Sequence, residues 1–133
     1  MTEILVPVSP GELLDKITIL RIKCTRIGDA GKLANVRFEL ARLESCRQAS
    51  IPVAADVSAD EAALERVNSQ LWDIEDRIRE HEAQQRFDAA FIELAREVYL
   101  RNDERAQIKR RINLKLDSRL IEEKSYRPYR PQH

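Results

Sequence analysis

Apolar side chains recur along four stretches of the chain at alternating steps of three and four residues, the spacing of amphipathic helices. In the first stretch Leu13, Ile17 and Leu20 form one such stripe, while Ile19 and Ile22 lie off it. A helix with two apolar sides belongs either at the centre of a bundle or at an oligomer interface. The pattern predicts helices over about 10–27, 31–48, 58–83 and 88–116.

Two of these helices are preceded by a motif that satisfies unpaired backbone N–H groups. Ser9 and Glu12 have the spacing of a capping box, with Pro10 at the first helical position, where its missing N–H costs nothing. Ser58 and Glu61 repeat that spacing before the third helix. Both motifs predict a helix start at the serine.

We expect residues 1–133 to form one all-α domain, an antiparallel bundle of about four helices with one long C-terminal helix. Residues 49–58 contain a proline and no helical stripe, but neither side of them is long enough to form a core alone. Residues 1–8 are expected to be an extended lead-in and residues 122–133 an extended tail.

The overall charge argues against a nucleic-acid partner. The chain has 23 basic and 23 acidic residues, whereas a dedicated nucleic-acid binder would show a basic excess. The tail does interleave Tyr126 and Tyr129 with Arg127 and Arg130, a combination that can stack on single-stranded nucleic acid. We favour a tail that is solvated or lies on a partner subunit.

Other features bear on compartment and cofactors. The N-terminus lacks the pattern of a secretory signal, and no run of about 18 apolar residues predicts a membrane span. Cys24 and Cys46 lack metal-ligand spacing and are interpreted as a pair of buried, reduced thiols of a cytoplasmic protein. His81 is interpreted as structural, and His133 is the last residue. We therefore predict no metal site and no cofactor.

The fourth helix has an interruption in its apolar stripe. Between Val98 and Ile108 the inward positions fall on Arg101, Asn102 and Arg105. One interpretation is a salt-bridged network with acidic neighbours, Glu75 and Glu97 among them, that fixes the helix register. The other is an anion pocket inside the bundle, since arginine holds carboxylate or phosphate through two parallel hydrogen bonds. The candidate ligand-binding residues are Lys16, Glu75, Arg101, Asn102, Arg105 and Lys109.

The third and fourth helices have opposite charge. Residues 59–82 are strongly acidic and residues 101–116 strongly basic, and each stretch also has an apolar stripe. We expect these two helices to pack side by side.

Several stretches in order along the chain resemble a family of small bacterial proteins classed as a domain of unknown function. They are VPVSPGELLDKITIL (6–20), KLANVRFELARLE (32–44), LWDIEDRIREHE (71–82), FIELAREVYLRNDERAQIKRRIN (91–113) and EEKSY (122–126). The resemblance implies a context beside glycosyltransferase and tetratricopeptide-type proteins of surface-polysaccharide synthesis. It also implies that any site lies where the polar residues of the first helix, fourth helix and tail meet.

The first helix is also similar in its apolar and polar rhythm to that of helical chorismate mutases, through GELLDKITILRIKCTRI (11–27). That resemblance implies an all-α dimer in which arginines and a lysine hold the substrate carboxylates. The present chain departs from it in having four predicted helices where three are expected.

Two functions follow from these observations. The first is a non-catalytic accessory or binding protein of a surface-polysaccharide or glycosyl-transfer pathway, cytoplasmic and homo-oligomeric, with a protein partner from that pathway. The alternative is a small enzyme or binder of an anionic ligand, such as a nucleotide sugar or a chorismate-like dicarboxylate.

Overall fold

The computed structural model describes residues 3–129 and contains four helices in that range, with no β-strand among the residues described. The helices are α1 (Pro10–Arg26), α2 (Ala30–Ser50), α3 (Ser58–Ala83) and α4 (Ala89–Lys115). The predicted all-α bundle is confirmed, including the long fourth helix. With 27 residues, α4 is about 40 Å long.

The predicted start of α1 is confirmed. The Ser9 hydroxyl accepts a hydrogen bond from the backbone N–H of Glu12 at 3.1 Å, and Pro10 is the first helical residue. The Glu12 carboxylate points elsewhere, because a buried cation is within reach: its Oε2 lies 2.7 Å from Lys109 Nζ. Only the serine half of the capping box is therefore formed.

The capping box predicted for α3 is wrong. Ser58 lies inside the helix, Val57 occupies the cap position, and no side chain caps the N-terminus. The Ser58 hydroxyl instead bonds Asp56 Oδ1 at 3.3 Å. Glu61 is held by arginines of other helices, which give its carboxylate stronger, charge-assisted partners than a backbone N–H.

Helix α1 is the central element, since its backbone lies close to each of the other three helices, whereas the backbone of α2 lies close to α1 alone. The second apolar side is used in part within the bundle: Ile22 is buried there and Ile19 is half-buried. Leu14 and Ile17 of α1, Leu64 of α3 and Ile112 of α4 are completely inaccessible to solvent. No residue of α2 is fully buried.

Helices α3 and α4 pack side by side, as their opposite charges predicted. Asp88 begins α4 by accepting a hydrogen bond from the Phe91 N–H at 3.1 Å. The buried imidazole of His81 lies 2.9 Å from the Arg86 carbonyl oxygen, which ties the end of α3 to the connection before α4.

Glu61 joins the start of α3 to α1 and α2. Arg21 Nη1 lies 2.8 Å from its Oε1, and Arg47 Nη2 lies 2.6 Å from its Oε2. Burial opposes the charged form, but the arginines outweigh it and hold the pKa of the Glu61 carboxyl below its usual value. Asp60 makes the matching connection to α4 through Arg111 and Lys115.

The tail runs back along α4 in the same chain. Glu122 lies 3.3 Å from Lys109, Glu123 lies 3.3 Å from Arg110, and the Tyr129 ring centroid lies 5.1 Å from that of Tyr99. Most of its surface nevertheless stays exposed. The tail segment up to Tyr129 is thus extended and largely solvated, and His133 and Arg130 lie outside the described residues.

Candidate functional site

A buried polar cluster lies where α1, α3 and α4 meet. Asp15, Thr18 and Asn68 are 2%, 0% and 5% exposed. Asn68 Nδ2 donates to Asp15 Oδ1 at 2.8 Å and to Thr18 Oγ1 at 3.0 Å. The Thr18 hydroxyl in turn donates to the Asp15 carbonyl oxygen at 2.8 Å. A buried carboxylate is stable only when hydrogen-bonded in this way, so these three side chains fix one another's positions.

Arg105 of α4 reaches this cluster with long contacts. Its Nη1 is 3.5 Å from Asn68 Oδ1 and its Nε is 3.7 Å from Asp15 Oδ2. The side chain is 30% exposed. Because a guanidinium carries five N–H donors, these two contacts leave most of its hydrogen-bonding capacity unused.

Lys109, one turn further along α4, is enclosed by carboxylates. Its ammonium lies 2.7 Å from Glu12 Oε2 and 3.3 Å from Glu122 Oε2, and Lys16 approaches the other Glu12 oxygen at 3.7 Å. Burial disfavours both charges, yet the ion pair prevails: the pKa of Glu12 lies below its usual value and the pKa of Lys109 above its own. Both groups are therefore charged at neutral pH.

A close contact between α1 and α4 places these side chains together. The Gly11 N–H donates to Asn113 Oδ1 at 2.8 Å. A Cβ at Gly11 would lie 2.5 Å from the Lys109 carbonyl oxygen, so only glycine lets the two backbones approach this closely. The approach brings Glu12 of α1 within ion-pair distance of Lys109.

A cleft of about 380 Å³ opens beside the cluster, between α1, α3 and α4. Its walls are mainly apolar, with Trp72 on one side, and Asn68 and Arg105 supply polar groups to it. The charged residues Glu75, Asp76 and Arg79 also line it. Apolar walls with a few converging polar groups are the usual composition of a small-molecule site. The apolar lining residues are Ile19, Ile22 and Leu71.

Five of the six predicted site residues divide among three places. Arg105 and Glu75 line the cleft, and Lys16 and Lys109 meet at Glu12. Asn102 lines a separate groove beneath the tail.

Arg101, the sixth predicted residue, is in none of these three places. It pairs with Glu97 at 3.0 Å and Glu104 at 2.8 Å, both on its own helix. The pair with Glu97 is one contact of the network that the register-fixing interpretation expected. Glu75, the other acidic residue named in that interpretation, lies 3.8 Å from Arg79 on its own helix.

Sequence reasoning did not single out Thr18, and it included Asp15 and Asn113 only among the polar residues of the family resemblance. A signal was present: Gly11, Asp15, Thr18 and Ile22 recur at steps of four, three and four, as a second stripe on α1. A small residue and two polar ones on a helical stripe indicate close packing against a polar neighbour.

Residues 3–129 contain no group of three or more histidine, cysteine, aspartate or glutamate side chains arranged to hold a metal ion. Over the same range, none of the helices is long and apolar enough to cross a membrane.

A family-wide sequence model matches residues 4–131, nearly the whole chain. The chain belongs to DUF6165, a family of unknown function. The match includes the cluster on α1, α3 and α4 as well as most of the tail, and it confirms the resemblance to a domain of unknown function. No curated protein matches the chain. No solved structure matches it either.

Proposed function

We propose that this DUF6165 protein binds a small anionic ligand in the cleft between α1, α3 and α4, with Arg105 as the anchor. In this proposal it acts in the cytoplasm as a non-catalytic accessory protein of surface-polysaccharide synthesis. The pathway is supported by the family resemblance, and the anionic ligand by the site geometry.

The observation that carries the proposal is the unused hydrogen-bonding capacity of Arg105. Its guanidinium lines the cleft, and the 3.5 and 3.7 Å contacts to Asn68 and Asp15 orient it without consuming its donors. A carboxylate or phosphate entering the cleft can accept two parallel hydrogen bonds from this group. Asp15 serves as a positioning residue behind the arginine.

The neighbouring cations are less suited to this role. Arg101 already donates to Glu97 and Glu104, and Lys109 is neutralised by Glu12 and Glu122. An incoming anion would have to displace a carboxylate from either of them, whereas at Arg105 it adds hydrogen bonds to a partly free donor. This difference selects Arg105 from the predicted basic cluster.

The cleft also limits the ligand class. A volume of about 380 Å³ is near the lower end of small-molecule sites. Trp72 and the aliphatic walls offer an apolar surface, and Glu75 and Asp76 can accept hydrogen bonds from hydroxyl groups. A sugar phosphate, a nucleotide sugar held by its sugar-phosphate end, or a compact dicarboxylate fits this combination.

Arg105→Ala should abolish ligand binding while leaving the fold intact. Because the arginine is partly exposed and its contacts are long, its removal should cost only about 1 kcal/mol of unfolding free energy. A thermal-shift panel of sugar phosphates, nucleotide sugars and dicarboxylates measures both effects, since ligand at about 100 times its Kd adds roughly 2.7 kcal/mol to the wild type. The ligand should be recovered chemically unchanged.

Arg66→Ala is the matched control, because Arg66 is exposed on α3 and forms no ion pair with the described residues. It should keep the full ligand shift. A flat panel for the wild type, or a ligand shift that survives in Arg105→Ala, would contradict the proposed site. A stability loss of about 3–5 kcal/mol in Arg105→Ala would instead identify a structural ion pair.

Protein contacts are the second part of the proposed accessory role. Ile4, Leu5 and Phe38 are 83%, 79% and 71% exposed. Burial of such exposed apolar side chains against another protein surface is favourable. We expect sedimentation equilibrium to show a homo-oligomer that Phe38→Ser weakens, with Arg37→Ser as the neighbouring exposed control. A strict monomer that binds no protein of polysaccharide synthesis would contradict the accessory role.

A further inference from the structure

A second cavity lies between the tail and α4, on the part of the chain that the Arg105 cleft does not use. It is a groove of about 740 Å³, larger than the Arg105 cleft. Tyr99, Asn102 and Asp103 of α4 line one side, and Lys124, Tyr126 and Arg127 of the tail line the other. The volume is within the usual range for a drug-sized ligand.

The groove combines aromatic rings with cations. Tyr126 is 78% exposed, and Lys124 Nζ lies 5.7 Å from its ring centroid. Tyr99 and Tyr129 form an aromatic pair, with centroids 5.1 Å apart and planes at 56°. Exposed aromatic faces beside positive charge bind planar rings that carry an anionic group.

The polar groups of α4 in the groove have no internal partner. Within residues 3–129 the side chains of Asn102 and Asp103 form no hydrogen bond or ion pair, although both are half-buried. Arg127 likewise forms no ion pair among these residues. The groove therefore presents an amide, a carboxylate and a guanidinium that are available to a ligand.

We propose that the groove between α4 and the tail binds a nucleoside phosphate. The base stacks on a tyrosine face, with Tyr126 the most accessible. The phosphates contact Lys124 and Arg127, and the Asp103 carboxylate accepts hydrogen bonds from the ribose hydroxyls. The Asn102 amide can both donate to and accept from the edge of the base.

The tail is held in place before any ligand arrives. The ion pairs Glu122–Lys109 and Glu123–Arg110 fix its first residues on α4, immediately before the groove begins at Lys124. These same glutamates oppose a long polyanion, since a nucleic-acid strand needs a continuous cationic track. A single nucleotide needs only the two local cations. This site is separate from the Arg105 cleft and independent of the proposed function.

Isothermal titration calorimetry of the full chain with ADP and UDP tests this proposal. Adenosine, uridine and pyrophosphate are titrated separately, because each represents only one part of a nucleotide. We expect at least one of the two nucleotides to bind, and its nucleoside and pyrophosphate each to bind at least about tenfold more weakly. Tyr126→Ala and Arg127→Ala should each weaken nucleotide binding by about tenfold. Tyr126→Phe, which keeps the ring, should restore it.

Two controls isolate the groove. Arg37→Ala and Arg66→Ala each remove an exposed arginine, one on α2 and one on α3, that forms no ion pair with the described residues. Both should keep nucleotide affinity. The proposal is overturned if neither nucleotide binds at millimolar concentration, or if pyrophosphate binds as tightly as the nucleotide. It is also overturned if the tail variants have no effect, or if affinity for a single-stranded oligonucleotide rises with its length.

Discussion

Gly11→Ala will lower the free energy of unfolding by about 3 kcal/mol. The new Cβ would lie 2.5 Å from the Lys109 carbonyl oxygen and 2.9 Å from Asn113 Oδ1. The first is backbone and the second belongs to a side chain only 1% exposed, so neither can move without separating α1 from α4. Overpacking costs about 1–3 kcal/mol, and loss of the hydrogen bond to Asn113 adds about 1 kcal/mol. The better helix propensity of alanine offsets part of this cost.

Gly28→Ala is the internal control for this experiment. An added Cβ there meets nothing within 4 Å, and Gly28 does not have a positive φ. Its unfolding free energy should stay within about 0.5 kcal/mol of the wild type or rise slightly, through a less flexible unfolded chain. Urea denaturation of both variants measures the difference, and equal midpoints would show that α1 and α4 are not in close contact at Gly11.

The helices were predictable because amphipathic periodicity is local. The stripe through Leu13, Ile17 and Leu20 depends on the 3.6-residue turn and on nothing distant, and all three side chains are buried. The central position of α1 was left open, since an apolar second side is equally consistent with a subunit interface. That choice depends on where α3 and α4 return in space.

The prediction at Ser58 failed for a long-range reason. The local motif would pair the Glu61 carboxylate with a backbone N–H. In the fold this carboxylate instead accepts hydrogen bonds from Arg21 and Arg47, which lie 40 and 14 residues away in the chain. Charge-assisted hydrogen bonds are roughly twice as strong as neutral ones, so the distant partners prevail. Nothing in the spacing of residues 58–61 carries that information.

The sequence indicated several residues of the candidate site, but not which of them lie together in space. Arg105 and Asn102 are three residues apart on one side of α4, yet they line different cavities, because α3 covers one and the tail covers the other. The spacing of residues along a helix shows which side of the helix they lie on. It does not show which neighbouring element packs against each turn. The family resemblance implied that any site lies where polar residues of the first helix, the fourth helix and the tail meet. Lys109 of α4 does contact both Glu12 of α1 and Glu122 of the tail.

Asn68→Ala should also cost about 3 kcal/mol of unfolding free energy. Its amide donates to Asp15 Oδ1 at 2.8 Å and to Thr18 Oγ1 at 3.0 Å. Without it, the buried Asp15 carboxylate keeps the 3.7 Å contact to Arg105 and the attraction of the Lys109 charge. A lost hydrogen bond to a buried charge costs about 1.5–3 kcal/mol, and the space left by the amide adds to it. Gln70→Ala removes an exposed amide two residues away and should change stability by less than about 0.5 kcal/mol.

A double variant separates the loss of the hydrogen bond from the loss of packing. If Asn68 matters because it satisfies Asp15, then removing Asp15 as well removes the need for it. Asp15→Ala with Asn68→Ala should therefore be less destabilised than the sum of the single variants, by about 1–2 kcal/mol in denaturant titration. Strictly additive losses would mean that Asn68 acts through its volume alone. In that case the hydrogen bond from Asn68 would not hold the Asp15 carboxylate in place behind Arg105, as the positioning role of Asp15 requires.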